Sequence, residues 1–282
     1  TNCSNSQFPK KCYFRGDWMT DTHEMMAIPS KSYKDFNSFN PEDIRHVNWK
    51  CSAIVNDIVF IGNIALLSGD SSSYTNGDRI LESATGKYDS FPITNKLEVG
   101  ISDDGDEIIQ LMSAFDVLII FKKKSASAVK IVSDIKKELV FQKRNNGVWN
   151  RNAVCRTTDG VAWINDTGLW YYDEKDGVRN LINKSVTVDE NPYIITRISP
   201  DEWKATMGGY EDYAYISYDN VNNQLMMAQS SQHEETAKKG YIYDFTTLSF
   251  SEMEGLTPTG GHSNVVQGKD GKPRVYLPET QY

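Results

Sequence analysis

From residue 47 onward the chain is cut into short apolar or alternating runs by turn-forming residues. No run keeps a helical period for as many as about 10 residues. Helical bundles and helix-flanked parallel sheets need helices of at least that length, so both are excluded. What remains is a succession of short strands. Residues 49–55 lead into Asn56-Asp57 and out again through residues 58–63, a hairpin with its bend at the Asn-Asp pair. Residues 160–165 and 168–173 repeat the format around Asp166-Thr167, with aromatic and β-branched residues in both arms. Residues 224–228 and 240–245 flank a polar loop, and Thr246-Thr247 turns the chain into residues 248–250.

The intervening segments fit the same reading. Residues 66–77 are rich in Ser and Gly and read as a loop, and residues 78–83 alternate as a half-buried strand. Residues 95–101 alternate again. Residues 108–121 contain a break near Ser113-Ala114 and then the continuous apolar run 117–121, onto which 126–132 pairs back. Residues 139–141 form another short strand, and Asn145-Asn146-Gly147 marks a turn. Three single helical turns are expected: 199–205, opened by Ser199 and Pro200 with Asp201 and Glu202 behind them, 42–46 and 134–138. Many short strands at regular spacing suit a propeller, sandwich or barrel. A recurrence in which an apolar strand ends on a polar turn residue, at Asn63, Asp173 and Asp244, favours the propeller. The pattern from Tyr241 to Phe250 resembles the outer-strand hairpin of kelch-like blades.

The expected fold is therefore all-β: a β-propeller-like array of short antiparallel hairpins with a few short helical turns. Residues 47–252 would form the propeller domain. Residues 1–46 would be an N-terminal extension or crossing segment. Residues 253–282 would be a C-terminal extension, closing the propeller or leading to further domains. The chain opens on Thr1-Asn2-Cys3 without Met and is expected to be a piece of a longer protein.

Composition narrows the function classes. With 30 basic against 38 acidic side chains, a net charge of -8, the chain lacks the cationic surplus of a phosphate-gripping nucleic-acid binder. No run approaches the ~18 apolar residues of a membrane helix. Six Trp, 15 Tyr and 11 Phe exclude a disordered chain and supply a core. The four cysteines, Cys3, Cys12, Cys51 and Cys155, form no CxxC pair, so zinc and thioredoxin chemistry have no support. Cys51 and Cys155 read as buried strand residues, and the sequence leaves pairing of Cys3 with Cys12 open.

Candidate chemistry fails on spacing. His23-Glu24-Met25-Met26-Ala27 and His233-Glu234-Glu235-Thr236-Ala237 each begin like a zincin box and put Ala where the second His belongs. His46 and His262 complete the histidine inventory, too few and too scattered for a zinc site. The acid-rich 102–107 lacks the spacing of an EF-hand loop and reads as a solvated turn. Thr157-Thr158-Asp159-Gly160-Val161-Ala162-Trp163 resembles the aspartate box of sialidase-type propellers with one residue missing between Asp and Gly, and that box is a structural turn. Lys122-Lys123-Lys124 reads as a solvated strand edge. No GxSxG, P-loop or GxGxxG stands in context. No catalytic, cofactor-binding or metal-ligating residue is expected, and the chain is not expected to be an enzyme.

A longer order of segments resembles a known family. It runs through Trp49-Lys50, residues 53–56, 59–63 and 78–83, Tyr88-Asp89-Ser90-Phe91-Pro92, and residues 97–108. It continues through 115–122, 154–165, 168–173 and Asn180-Leu181-Ile182. In this order they resemble the tail nozzle or tail-stabilisation proteins of short-tailed phages, including the muzzle proteins of crAss-like phages, over roughly residues 33–250. The resemblance implies a structural virion protein located in the phage tail, a β-propeller that assembles with copies of itself into a ring. It would line or close the channel through which genomic DNA leaves the capsid. Its neighbours would be other tail or portal-adaptor proteins, with no membrane span and no catalytic residues. An acidic channel wall would repel passing phosphate. The alternative from the residues is a carbohydrate-binding or glycoside-cleaving propeller for host-surface recognition, which would need two carboxylates across a pocket flanked by Trp or Tyr.

Overall fold

The structure is a computed structural model. It describes residues 10–15, 19–24, 44–68, 73–83, 85–86, 88, 91, 95–97, 105–133, 135–188, 191–207, 214–229, 238–256, 264–267 and 273–276. The chain divides into two compact units, Thr1–Arg144 and Asn145–Tyr282.

The first unit holds a hairpin, β1 (Lys10–Arg15) with β2 (Met19–Glu24), and a three-stranded sheet of β3 (Ile44–Val55), β4 (Ile58–Ser68) and β5 (Ser73–Glu82). A four-stranded sheet follows, made of β6 (Ile108–Ala114), β7 (Val117–Lys122), β8 (Ser125–Ile131) and β9 (Lys137–Arg144). The second unit opens with another four-stranded sheet: β10 (Val154–Arg156), β11 (Gly160–Asn165), β12 (Gly168–Asp173) and β13 (Gly177–Asn180). Then come the hairpin β14 (Asn183–Val188) and β15 (Asn191–Thr196) and the helix α1 (Pro200–Met207). The sheet β16 (Ala214–Asp219), β17 (Gln224–Gln229), β18 (Lys238–Asp244) and β19 (Ser249–Leu256) and the hairpin β20 (Asn264–Gln267) and β21 (Pro273–Tyr276) complete it.

In every sheet the strands lie side by side in chain order and pair antiparallel. A four-stranded up-and-down meander is the format of a propeller blade. The expected class holds: all-β, a propeller-like array of short antiparallel hairpins.

The turns follow from their residues. Val55 pairs with Ile58 across Asn56 and Asp57, whose φ values are 47° and 60°. Two consecutive left-handed residues make the mirror-image turn that matches strand twist, and Asn and Asp tolerate it best after Gly. Asn165 pairs with Gly168 across Asp166 and Thr167, as the spacing predicts. The break expected near Ser113-Ala114 lies one residue on, where Phe115 takes φ 55° between Ala114 and Val117.

Three readings are corrected. Residues 66–77 are not a loop throughout: β4 runs to Ser68 and β5 starts at Ser73, and residues 69–72 lie outside the described residues. Leu66 and Leu67 pair with Tyr74 and Ser73, so the ladder tolerates this Ser-rich stretch. The helical turn expected at 42–46 falls on β3 from Ile44 onward, and the one expected at 134–138 runs into β9, which starts at Lys137. Both have charged residues at helical spacing but no apolar face to bury, and strand pairing wins. The turn expected at 199–205 is α1. Ser199 Oγ accepts from Glu202 N at 3.2 Å and caps it, and Trp203 and Met207, one turn apart, are buried.

The core of the first unit is mostly aliphatic. Val55, Ile58, Phe60, Ile80, Ile108, Leu111, Leu118, Ile120, Val129 and Ile131 form one buried cluster joining β3–β5 to β6–β9. β7 is buried at all six positions, which its unbroken apolar run dictates. Gly62 lets the sheets close: a Cβ there would stand 3.1 Å from Leu111 Cδ1 and 3.2 Å from Cys51 Sγ. The second unit is packed with rings instead, Trp163, Tyr171, Tyr172, Trp203, Tyr215, Tyr241 and Tyr243 all being buried.

Candidate functional site

The acids singled out in the first unit are joints of the fold. Asp106 is buried, and its carboxylate accepts from Lys124 N at 3.0 Å and Ser125 Oγ at 3.1 Å, pinning the start of β8. Glu107 Oε1 accepts from Lys50 Nζ and from Asn63 Nδ2, the latter at 2.8 Å. The Lys50 ammonium and then the Asn63 amide hold the Glu107 carboxyl below the usual carboxylate range. Asn63 also donates to Ile108 O at 2.8 Å from a left-handed backbone (φ 60°) at the register shift in β4. The rest of the acid cluster, residues 102–104, lies outside the described residues.

The basic run is also corrected. Lys122 ends β7 and is 2% exposed, whereas Lys123 and Lys124 are exposed in the following bend. Lys122 belongs to β7, which is buried at every position, so the triplet is not one solvated edge.

Among the residues whose side chains are described, no histidine and cysteine are brought together. His23 stands on β2 opposite Lys11 and His46 on β3 opposite Leu67, while His233 and His262 lie outside the described residues. Among the described residues no three His, Cys, Asp or Glu could hold a metal ion. Cys51 is buried as expected, and burial pushes its thiol up to about 12. The Cys155 thiol is pushed up by burial as well, although that residue is half-buried overall. Neither supplies a thiolate near neutrality. Cys3 and the side chain of Cys12 lie outside the described residues.

The densest polar and aromatic assembly is in the second unit. Thr157 N donates to Gly160 O at 2.9 Å, closing the turn that resembles an aspartate box. The Thr157 and Tyr171 hydroxyls meet at 3.2 Å. Pairing of β12 with β13 sets Arg179 opposite Tyr171, with the guanidinium 5.4 Å from the ring centroid. Arg179 binds Asp173 Oδ2 at 2.7 Å and also Asp176. Thr158 donates to Tyr218 Oη at 3.1 Å, because the Tyr218 hydroxyl proton is given to Asn223 Oδ1 at 2.8 Å. Phe245 packs its ring at 5.0 Å from Tyr171, 5.2 Å from Tyr243 and 6.2 Å from Tyr218. Burial, with the Asp173 and Asp159 charges behind it, holds the Tyr171 phenol above its ordinary value, so it is a neutral hydrogen-bonding group.

A second network lies beside it. Asn146 Oδ1 accepts from Trp163 Nε1 at 3.3 Å and Asn165 Nδ2 at 3.0 Å. Asn165 Oδ1 accepts from Thr167 N at 2.9 Å and Trp170 Nε1 at 3.2 Å, and Trp203 Nε1 donates to Asn165 O at 2.8 Å.

Most of these polar groups are spent on one another, although Asn146 Nδ2 and Arg179 Nε are buried without a hydrogen-bond partner. Asp173 is tied at both oxygens, to Asp176 N and to Arg179, and the indole donors of Trp163, Trp170 and Trp203 are all engaged. Nothing here pairs a nucleophile with a base. Arg179, Tyr218, Asn223 and Phe245 were not marked by the sequence. Only the hairpin register of β12 and β13 would have put Arg179 opposite Tyr171.

No protein-family model matches the chain, and no curated protein matches it. Among solved structures it is similar to a protein from Lactobacillus plantarum at 13% identity and TM-score 0.36, over 81% of this chain and 70% of that one. It is similar to BamB from Moraxella catarrhalis at 11% identity and TM-score 0.34, over 76% of this chain and 63% of that one. It is also similar to a chain in a Dbp5, Nup159 and Gle1 assembly from S. cerevisiae at 12% identity and TM-score 0.37, over 78% of this chain and 66% of that one. The chain thus spans less than two thirds of the last two. At these identities and superpositions the likenesses say nothing about activity.

Proposed function

We propose that this chain is a non-enzymatic structural component of a phage virion, a tail nozzle or muzzle-type protein of a short-tailed phage. In this reading it assembles with copies of itself into a ring at the DNA exit channel. One observation carries the reading: segments that resemble that family fall in order on successive meander sheets and their turns, where their polar groups serve as joints. Residues 49–63 supply β3 and β4 and the turn between them, 115–122 supply β7, 154–165 supply β10 and β11, and 168–173 are β12. Within those segments Asn63, Thr157 and Asn165 are engaged in holding strands and turns. The net charge of -8 suits a wall past which DNA moves without being gripped.

Electron microscopy of the purified full chain tests the proposal, together with immunogold labelling of the parent virion. The expected result is a ring with a central opening and label at the tail tip. A chain that stays monomeric at all concentrations and binds or hydrolyses glycans would overturn it in favour of the carbohydrate-directed alternative.

A further inference from the structure

We draw no further inference here: the strongest candidate, the exposed apolar patch of Phe115, Val132 and Ile135 on the β6–β7 and β8–β9 turns, which Ile131 N ties together by donating to Asp116 O at 2.8 Å, carries nothing, because nothing in the structure shows what covers it.

Discussion

The sheets β6–β9 and β10–β13 share one topology and are held together by different chemistry. The first buries aliphatic side chains: Ile108, Leu111, Leu118, Ile120, Val129 and Ile131 belong to its core cluster. Such burial is non-directional, contributing roughly 1.5–3 kcal/mol per side chain and tolerating changes of shape at constant volume. The second buries rings whose polar atoms must find partners, as Trp163 does at Asn146 and Tyr171 at Thr157, and Trp203 of α1 docks on it by donating to Asn165 O. A meander therefore needs only a sealed interior, and which chemistry seals it decides how the sheet responds to substitution.

The largest expected effects test that contrast directly. Trp203 is fully buried, stacks on Tyr241 at 5.8 Å and donates to Asn165 O. Trp203→Ala should cost about 3–5 kcal/mol in chemical denaturation, and Ile120→Ala about 2–5 kcal/mol. The gentler pair separates the two regions. Trp203→Phe keeps a ring but gives up the indole hydrogen bond to Asn165 O and leaves a cavity, and should cost about 2 kcal/mol, whereas Ile120→Val should cost about 1 kcal/mol. Equal costs for the gentler pair would break the comparison.

Gly160 offers the next test. A Cβ there would stand 2.0 Å from Tyr172 O across the β11–β12 ladder, closer than any side chain is tolerated. Gly160→Ala should force the strands apart and cost about 3 kcal/mol. It should also speed hydrogen exchange of the Tyr172 amide and its neighbours, while exchange in β6–β9 stays as it was.

A smaller effect is expected at the hydroxyl pair. Tyr171→Phe and Thr157→Val should each cost about 1 kcal/mol. Combining them should cost less than the two separately, because the second change removes a partner already lost. Strict additivity would show that the 3.2 Å contact contributes nothing.

The sequence showed the hairpins wherever a turn pair stood between two runs of strand formers. Asn56-Asp57 and Asp166-Thr167 are such cases, because a two-residue turn states both strand ends at once. It was silent on β14 and β15, where Pro192 and scattered charges hide the strand character of Val186 and Ile194. It missed β16 although Ala214–Asp219 alternates apolar and polar residues. It misplaced 66–77 because Ser and Gly are read as breakers when nothing local shows the partner strand. The polar joints were hidden for a further reason. Thr158, Tyr171, Arg179, Tyr218 and Phe245 lie far apart in the chain, and only sheet register and packing bring them together.

The smallest expected effect depends on pH, and it distinguishes the two kinds of joint. Glu107 has its folded carboxyl pKa lowered by Lys50 and Asn63, so its contribution is present above the unfolded carboxyl value, about 4.3. That contribution is lost as pH falls through the lowered folded value. The Glu107 and Lys50 side chains are 41% and 64% exposed, so solvent screens the pair and Glu107→Gln should cost only about 0.5 kcal/mol at pH 7. The deficit should shrink from about pH 5 downward, as the unmodified carboxylate takes up its proton and comes to resemble the amide. Raised salt at pH 7 should shrink it too. Tyr171→Phe should show no such trend between pH 3 and 7, because its phenol, held above the ordinary value, stays protonated throughout. Denaturation midpoints for both variants across that range provide the measurement. A Glu107 deficit that persists unchanged at pH 3 would mean that the tie acts through packing rather than charge, leaving the first unit without an electrostatic joint at this point.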